Sequence, residues 1–140
     1  MPTDYYTLPF GEAAVLRSGK DVTIISYGAA IHWALETLDA NPDINADVID
    51  LRTLQPLDAE TIYTSVKKTG RAIILNEDSL FGSVSSDISA GIMEHCFESL
   101  DTPVKRVASM ETPIPFVSQL EQQYLPKNRF EEALKALLDY

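Results

Sequence analysis

The chain has 140 residues, with 11 lysines and arginines against 21 aspartates and glutamates and a net charge of −10. That balance argues against a nucleic-acid-binding protein, which needs clustered positive charge, and is compatible with simple solubility or with a basic protein partner. With 45% hydrophobic and 23% charged residues, one domain that buries roughly two-thirds of its unfolded surface is expected, and the single cysteine, Cys96, rules out an internal disulfide framework.

Met-Pro-Thr-Asp opens the chain without the basic region and apolar core of a signal peptide, and no run approaches the ~20 apolar residues of a membrane helix. The expected compartment is the cytoplasm, or that of a larger parent chain. Residues 1–12 carry Tyr5, Tyr6, Pro2, Pro9 and Phe10 with no helical or strand period, so they read as an arm lying on something. Ala13–Arg17 and Val22–Tyr27 read as two strands around a tight Ser-Gly turn, the first an antiparallel edge. From Ala29 to about Ala40, small and apolar residues recur at helical spacing until Asn41-Pro42 stops them.

The stretch Asp47–Asp58 follows. Val48, Ile49 and Leu51 form an apolar run without alternation, as in a strand covered on both faces in the middle of a parallel sheet. Pro56 forbids a further ladder bond, and Asp58 is placed to cap a helix over 59–69, which Lys67, Lys68 and Gly70 sign at its end. Ala72–Leu75 predicts another buried strand running into Asn76-Glu77-Asp78. Ile88, Ile92 and Cys96, with Phe97 adjacent, mark the core stripe of a third helix, and Val104–Ala108 a fifth strand. Ser118 and Glu121 have capping-box spacing. Phe130, Ala133, Leu134, Leu137 and Leu138 give the terminal helix one apolar face. Strands alternating with helices call for a three-layer α/β/α fold, with a mostly parallel five-stranded sheet and one antiparallel edge strand.

Chemistry is sparse. Neither G-x-G-x-x-G nor G-x-x-x-x-G-K-[ST] occurs. Gly28, at a helix start, could accept an anion through free N–H groups, although close packing of strand on helix is the preferred reading. His95 and Cys96 are neighbours on a helix and point apart, so they do not make a nucleophile–base pair. His32 and His95 lack metal-site spacing, and His32 reads as a packed or interfacial side chain. Glu77-Asp78 stands at a strand's carboxyl end, where ligands bind in open α/β sheets, with solvated loop acids as the plainer reading. Catalytic, cofactor-binding and metal residues are therefore assigned to none. Arg52, Thr53, Gln55 and Asp58 form a polar corner, with Arg52 and Gly28 as candidates for an anion or interdomain contact.

Three runs carry a family resemblance: Asp21-Val-Thr-Ile-Ile-Ser-Tyr-Gly28, Val48-Ile-Asp-Leu-Arg-Thr-Leu-Gln-Pro-Leu-Asp58 and Ser65-Val-Lys-Lys-Thr-Gly-Arg71. They are similar to the C-terminal domain of the β subunit of thiamine-diphosphate 2-oxoacid dehydrogenases, members of the transketolase superfamily. The likeness continues through Leu100-Asp-Thr-Pro-Val-Lys-Arg-Val107 and Thr112-Pro-Ile-Pro-Phe116 to Tyr140, so the chain divides into the arm 1–12 and a transketolase C-terminal-like domain 13–140. Both branched-chain and pyruvate enzymes are close, and the family's usual Gly-Gly-Phe is replaced by Gly82-Ser83-Val84. Transketolase, deoxyxylulose phosphate synthase and a free-standing small-ligand α/β domain are the alternatives.

The resemblance implies that this domain alone is non-catalytic, with thiamine diphosphate and Mg²⁺ held by other domains of the parent. It implies contacts to α-type and N-terminal β-type domains, a homodimeric assembly, and docking of a basic subunit-binding domain of the acyltransferase core. By that match Asp101 and Tyr140, the latter through a terminal carboxylate, are the partner-binding candidates. A carboxylate–arginine pair suits such an interface, being charge-assisted and bidentate.

Overall fold

A computed structural model describes residues 5–140 of the chain, so the first residues of the arm lie outside the described part. Strands β1 (Ala14–Arg17), β2 (Val22–Ser26), β3 (Ala46–Asp50), β4 (Ala72–Ser79) and β5 (Lys105–Ser109) form one sheet in the order β1-β3-β2-β4-β5. The β2–β3, β2–β4 and β4–β5 pairs are parallel, and β1 alone runs antiparallel. Helices α1 (Ala29–Ala40), α2 (Ala59–Thr69), α3 (Val84–Cys96), α4 (Ser118–Tyr124) and α5 (Lys127–Leu138) complete the order. This is the expected three-layer fold.

The layers follow from the two-residue period of the strands. Ile24, Val48, Ile73 and Leu75 turn to one face and meet Ala30, Ala34 and Leu38 of α1 and Phe130, Leu134 and Leu137 of α5. Ile25, Ile49 and Ile74 turn to the other and meet Ile62 and Val66 of α2 and Ile88, Ile92 and Cys96 of α3. Because both faces are covered, neighbouring strand residues can all be apolar, and each full burial of this kind contributes ~1.5–3 kcal/mol.

Helix α2 ends as its sequence indicates. The Asp58 carboxylate accepts the Thr61 N–H at 3.1 Å and the Thr61 hydroxyl at 2.8 Å, and Gly70 closes the helix at φ +70° with its N–H on the Val66 carbonyl at 2.9 Å. The other expected cap fails. Helix α4 begins one residue early, with Val117 as its cap and the Leu120 and Glu121 N–H groups on the Val117 carbonyl, so Ser118 is already helical.

Two strand expectations also need correction. β1 and β2 are not a hairpin, since β1 pairs with β3 (Ala14 opposite Asp50, Val15 opposite Ile49) and β2 has its two edges filled by β3 and β4. The turn between them lies across the approach to β3, where the Lys20 and Asp21 N–H groups both bond the Asn45 carbonyl and a side chain at Gly19 would overlap Asn45 and Ala46. In consequence β3 is second from the edge and β2 holds the centre, where all five of its residues are buried. Among the described residues of the arm expected to lie on something, only its end is hydrogen-bonded, by Gly11 N–H on Thr53 Oγ1, with Ala13 N–H on Asp58 Oδ2 just beyond it, both at 2.9 Å. Tyr5 and Phe10 stand 94% and 85% exposed.

Candidate functional site

The partner-binding candidates meet in one groove. Helix α3 ends at Cys96, a short 3-10 turn over Phe97–Ser99 follows, and the chain then passes Leu100–Pro103 on its way into β5. Together with the end of the chain these segments wall an open groove of about 610 Å³ that Met93, Phe97, Leu100, Val104, Asp101 and Tyr140 all line. Met93, Phe97 and Tyr140 are 41%, 64% and 77% exposed, so the groove offers apolar contact beside the Asp101 carboxylate. Asp101 is held by its own N–H, which donates to the Gly70 carbonyl at 2.8 Å.

Of the residues lining this groove, the sequence reading named Asp101 and Tyr140 as candidates, and Phe97 it placed beside the core stripe. The stripe holds through Cys96. There the backbone leaves the α-helix (φ −129°, ψ 5°) and the 3-10 turn carries Phe97 outward. The signal that could have found it is Thr102-Pro103 soon afterwards, which leaves little room for another helical turn.

The polar corner is a structural joint. Arg52 takes a left-handed backbone (φ +57°), uncommon outside glycine, with its N–H on Asp50 Oδ1 at 3.1 Å and its side chain exposed. Thr53 and Asp58 hold the arm. Burial works to raise the Asp58 carboxyl, and the hydrogen bonds from Ala13 and Thr61 outweigh it, leaving its pKa below the ordinary aspartate value. Gly28 and Arg52 follow neighbouring strands, and no hydrogen bond among the described residues joins them. A side chain at Gly28 would meet nothing within 4 Å, so its glycine answers to its φ of +60° and not to close packing.

At the carboxyl edge of the sheet, Glu77 and Asp78 share a cleft of about 380 Å³ with Tyr27, Ile114, Glu121, Tyr124 and Leu125. Burial and the nearby Asp78 charge push the Tyr27 hydroxyl pKa up. Three carboxylates without a cation among the lining residues do not fit a diphosphate or its metal-bound form unaided, and no cluster of three or more metal-binding side chains occurs among the described residues. The thiamine diphosphate implied by the sequence resemblance therefore has no fitting site in this cleft.

Cys96 is buried, and burial raises its thiol pKa, which suits a packing residue. His95 lies on the surface against Tyr63, with ring centroids 4.8 Å apart. His32 is also exposed and not packed, contrary to one branch of its reading. Ser83, where the resemblance expects a glycine, adopts an ordinary extended backbone (φ −83°) and needs none.

One polar site escaped the sequence altogether. Asp47, with its side chain 3% exposed, accepts from Lys68 Nζ and Ser65 Oγ at 2.5 Å each and from the Gly19 N–H at 2.7 Å. Ser65 continues to Thr23 Oγ1 at 2.7 Å, and Thr23 to Thr69 at 2.8 Å. Burial raises the Asp47 carboxyl, and these hydrogen bonds more than offset it, so its pKa lies below the ordinary value.

Comparison with known proteins places these features in context. Residues 11–129 match the family model described as transketolase, C-terminal domain. Three Bacillus subtilis (strain 168) proteins are similar: the β subunit of 2-oxoisovalerate dehydrogenase (38% identity, all of this chain and 44% of the relative), the β subunit of acetoin:2,6-dichlorophenolindophenol oxidoreductase (43%; 90% and 37%), and the β subunit of the pyruvate dehydrogenase E1 component (42%; 98% and 43%). The chain spans less than half the length of each. Among solved structures, an inactive β4 tetramer of a split-gene transketolase superimposes with a TM-score of 0.80 at 28% identity, over 99% of this chain and 45% of that one.

Proposed function

The chain belongs to the transketolase C-terminal domain family, and from that membership we propose that it is the association and docking domain of a β-type subunit in a thiamine-diphosphate-dependent 2-oxoacid dehydrogenase. The observation that carries the docking half is the groove in which Asp101 and Tyr140 lie together over apolar side chains. Its partner is the basic subunit-binding domain of the acyltransferase core, and the net charge of −10 favours encounter with it. The other partners are the α-type domain, the N-terminal β-type domain and a second copy of the subunit, in the cytoplasm or in the compartment of the parent enzyme.

The parent reaction is oxidative decarboxylation of a 2-oxoacid with acyl transfer to a lipoyl group, with thiamine diphosphate and Mg²⁺ supplied outside this domain. Relatives named for 2-oxoisovalerate, acetoin and pyruvate resemble the chain about equally, which supports a domain that serves several substrates without reading them. The second reading, a transketolase C-terminal domain, draws on the backbone likeness to the split-gene enzyme.

The docking reading is tested by surface plasmon resonance against an immobilised subunit-binding domain. Asp101→Lys is expected to weaken capture by about 1–3 kcal/mol, as for loss of a charged hydrogen bond. An unchanged Kd removes Asp101 from the interface, and no capture of the wild-type chain favours the transketolase reading.

A further inference from the structure

We propose that Gly70 is the positioning residue that sets where the Asp101 carboxylate meets the docking partner's cation, and that Phe97 supplies the apolar half of that contact; this deepens the docking reading and rests on it. Asp101 is exposed, and among the described residues its carboxylate accepts no hydrogen bond and joins no ion pair. It leans over the carboxyl end of α2, where the last carbonyls carry partial negative charge, so the helix leaves it uncompensated. Of the two lysines in that turn, Lys68 is taken by Asp47, and Lys67 lines a neighbouring cleft with Glu94 and Glu98. The rim is thus short of cations while the floor, from Met93, Phe97, Leu100 and Val104, is apolar. The complementary occupant is a basic segment with an aliphatic or aromatic neighbour to its cation, and an acidic or purely polar segment is repelled or unrewarded.

Gly70 fixes the geometry. Its carbonyl receives the Asp101 N–H, and a Cβ added to it would overlap Asp101 Oδ2, with Asp101 Cγ at 3.0 Å and the Ser99 carbonyl oxygen at 3.3 Å. Any side chain at position 70 must therefore push the carboxylate off the helix end. Asparagine separates this effect from helix capping, because it tolerates the left-handed conformation of Gly70 yet still carries the Cβ.

The test titrates an isolated basic subunit-binding domain of a 2-oxoacid dehydrogenase acyltransferase into the full chain and its variants at several salt concentrations. Gly70→Asn is expected to weaken binding roughly tenfold, to flatten the dependence of log Kd on log salt as Asp101→Asn does, and to cost nothing further when the two are combined. Phe97→Ala, at an exposed site that leaves the fold intact, is expected to weaken binding several-fold with the salt dependence unchanged, and it decides the apolar half even where Gly70→Asn does not fold. If Gly70→Asn folds and binds as wild type while Asp101→Asn weakens binding, the positioning role is overturned and the docking reading stands; a wild-type Kd for Phe97→Ala overturns the apolar half. A wild-type Kd for Asp101→Asn takes Asp101 out of the interface and overturns this inference, whereas no binding by the wild-type chain overturns the docking reading.

Discussion

Asp47 is a buried carboxylate that accepts from Gly19, Ser65 and Lys68. Removing its carboxylate leaves the Gly19 N–H without its acceptor and Lys68 without its counter-charge, although the ammonium, 45% exposed, can still reach water. Asp47→Ala is therefore expected to cost about 2–3 kcal/mol in urea unfolding, near the low end for a broken buried pair. The pH dependence follows from the lowered pKa. An unfolded aspartate titrates near ~3.9 and the folded Asp47 lower, so its contribution is complete above about pH 5 and drains away as pH falls through ~4. Unfolding free energies measured between about pH 7 and 3 should fall more steeply for the wild type than for Asp47→Asn; parallel curves would place the acid sensitivity elsewhere. None of this was legible from Asp47's neighbours in sequence, because Gly19, Ser65 and Lys68 reach it from other elements. Asp58 and Cys96 were legible, since a cap and a helical stripe depend only on local spacing.

Among the elements, the joint before α2 shows both the reach and the limit of local reasoning. Asp58 was readable as a cap, whereas its second duty, holding the arm at Ala13, depends on a contact 45 residues away in sequence. Asp58→Ala is expected to lose about 1–2 kcal/mol from the cap and to speed exchange of the Ala13 amide without touching that of Gly11, which rests on Thr53. Uniform acceleration along the arm would mean the two anchors act as one. Strand pairing lay beyond the sequence for the same reason. Val22–Tyr27 and Ala13–Arg17 were recognisable as strands, but the residues that send β1 to β3 are Asn45 and Asp47, meeting the turn at Gly19–Asp21. The Ser118–Glu121 spacing misled because Val117, which has no capping side chain, starts the helix on backbone bonds alone.

At the level of the whole molecule, the chain combines a closed core with open surfaces. The two clusters on either side of the sheet account for its large fully buried side chains, while Phe81, Ile114, Phe116 and Val117 stand out at the carboxyl side of the sheet. The only cleft described at that edge is acidic, so calorimetry with thiamine diphosphate and Mg²⁺ on this chain is expected to give no binding heat. Micromolar binding would move the cofactor site into this domain and overturn the proposed division of labour. The docking candidates were legible only by family likeness. Composition explains why: one aspartate among 21 acidic residues carries no local signature until the fold sets it on a helix end beside Phe97.

The pairing of β1 bears on how this sheet meets other molecules. A mostly parallel sheet ending in β3 would present a flat run of unsatisfied N–H and C=O groups, a template for strand addition or aggregation. Here that side is finished by a four-residue strand with a register shift between Val15 and Arg17, and a short, irregular edge is a poor template. At the opposite side, β5 opens with the charged pair Lys105-Arg106. Growth by hydrogen-bonded strands is discouraged at both ends, which leaves neighbours to be chosen by side chains and their charges.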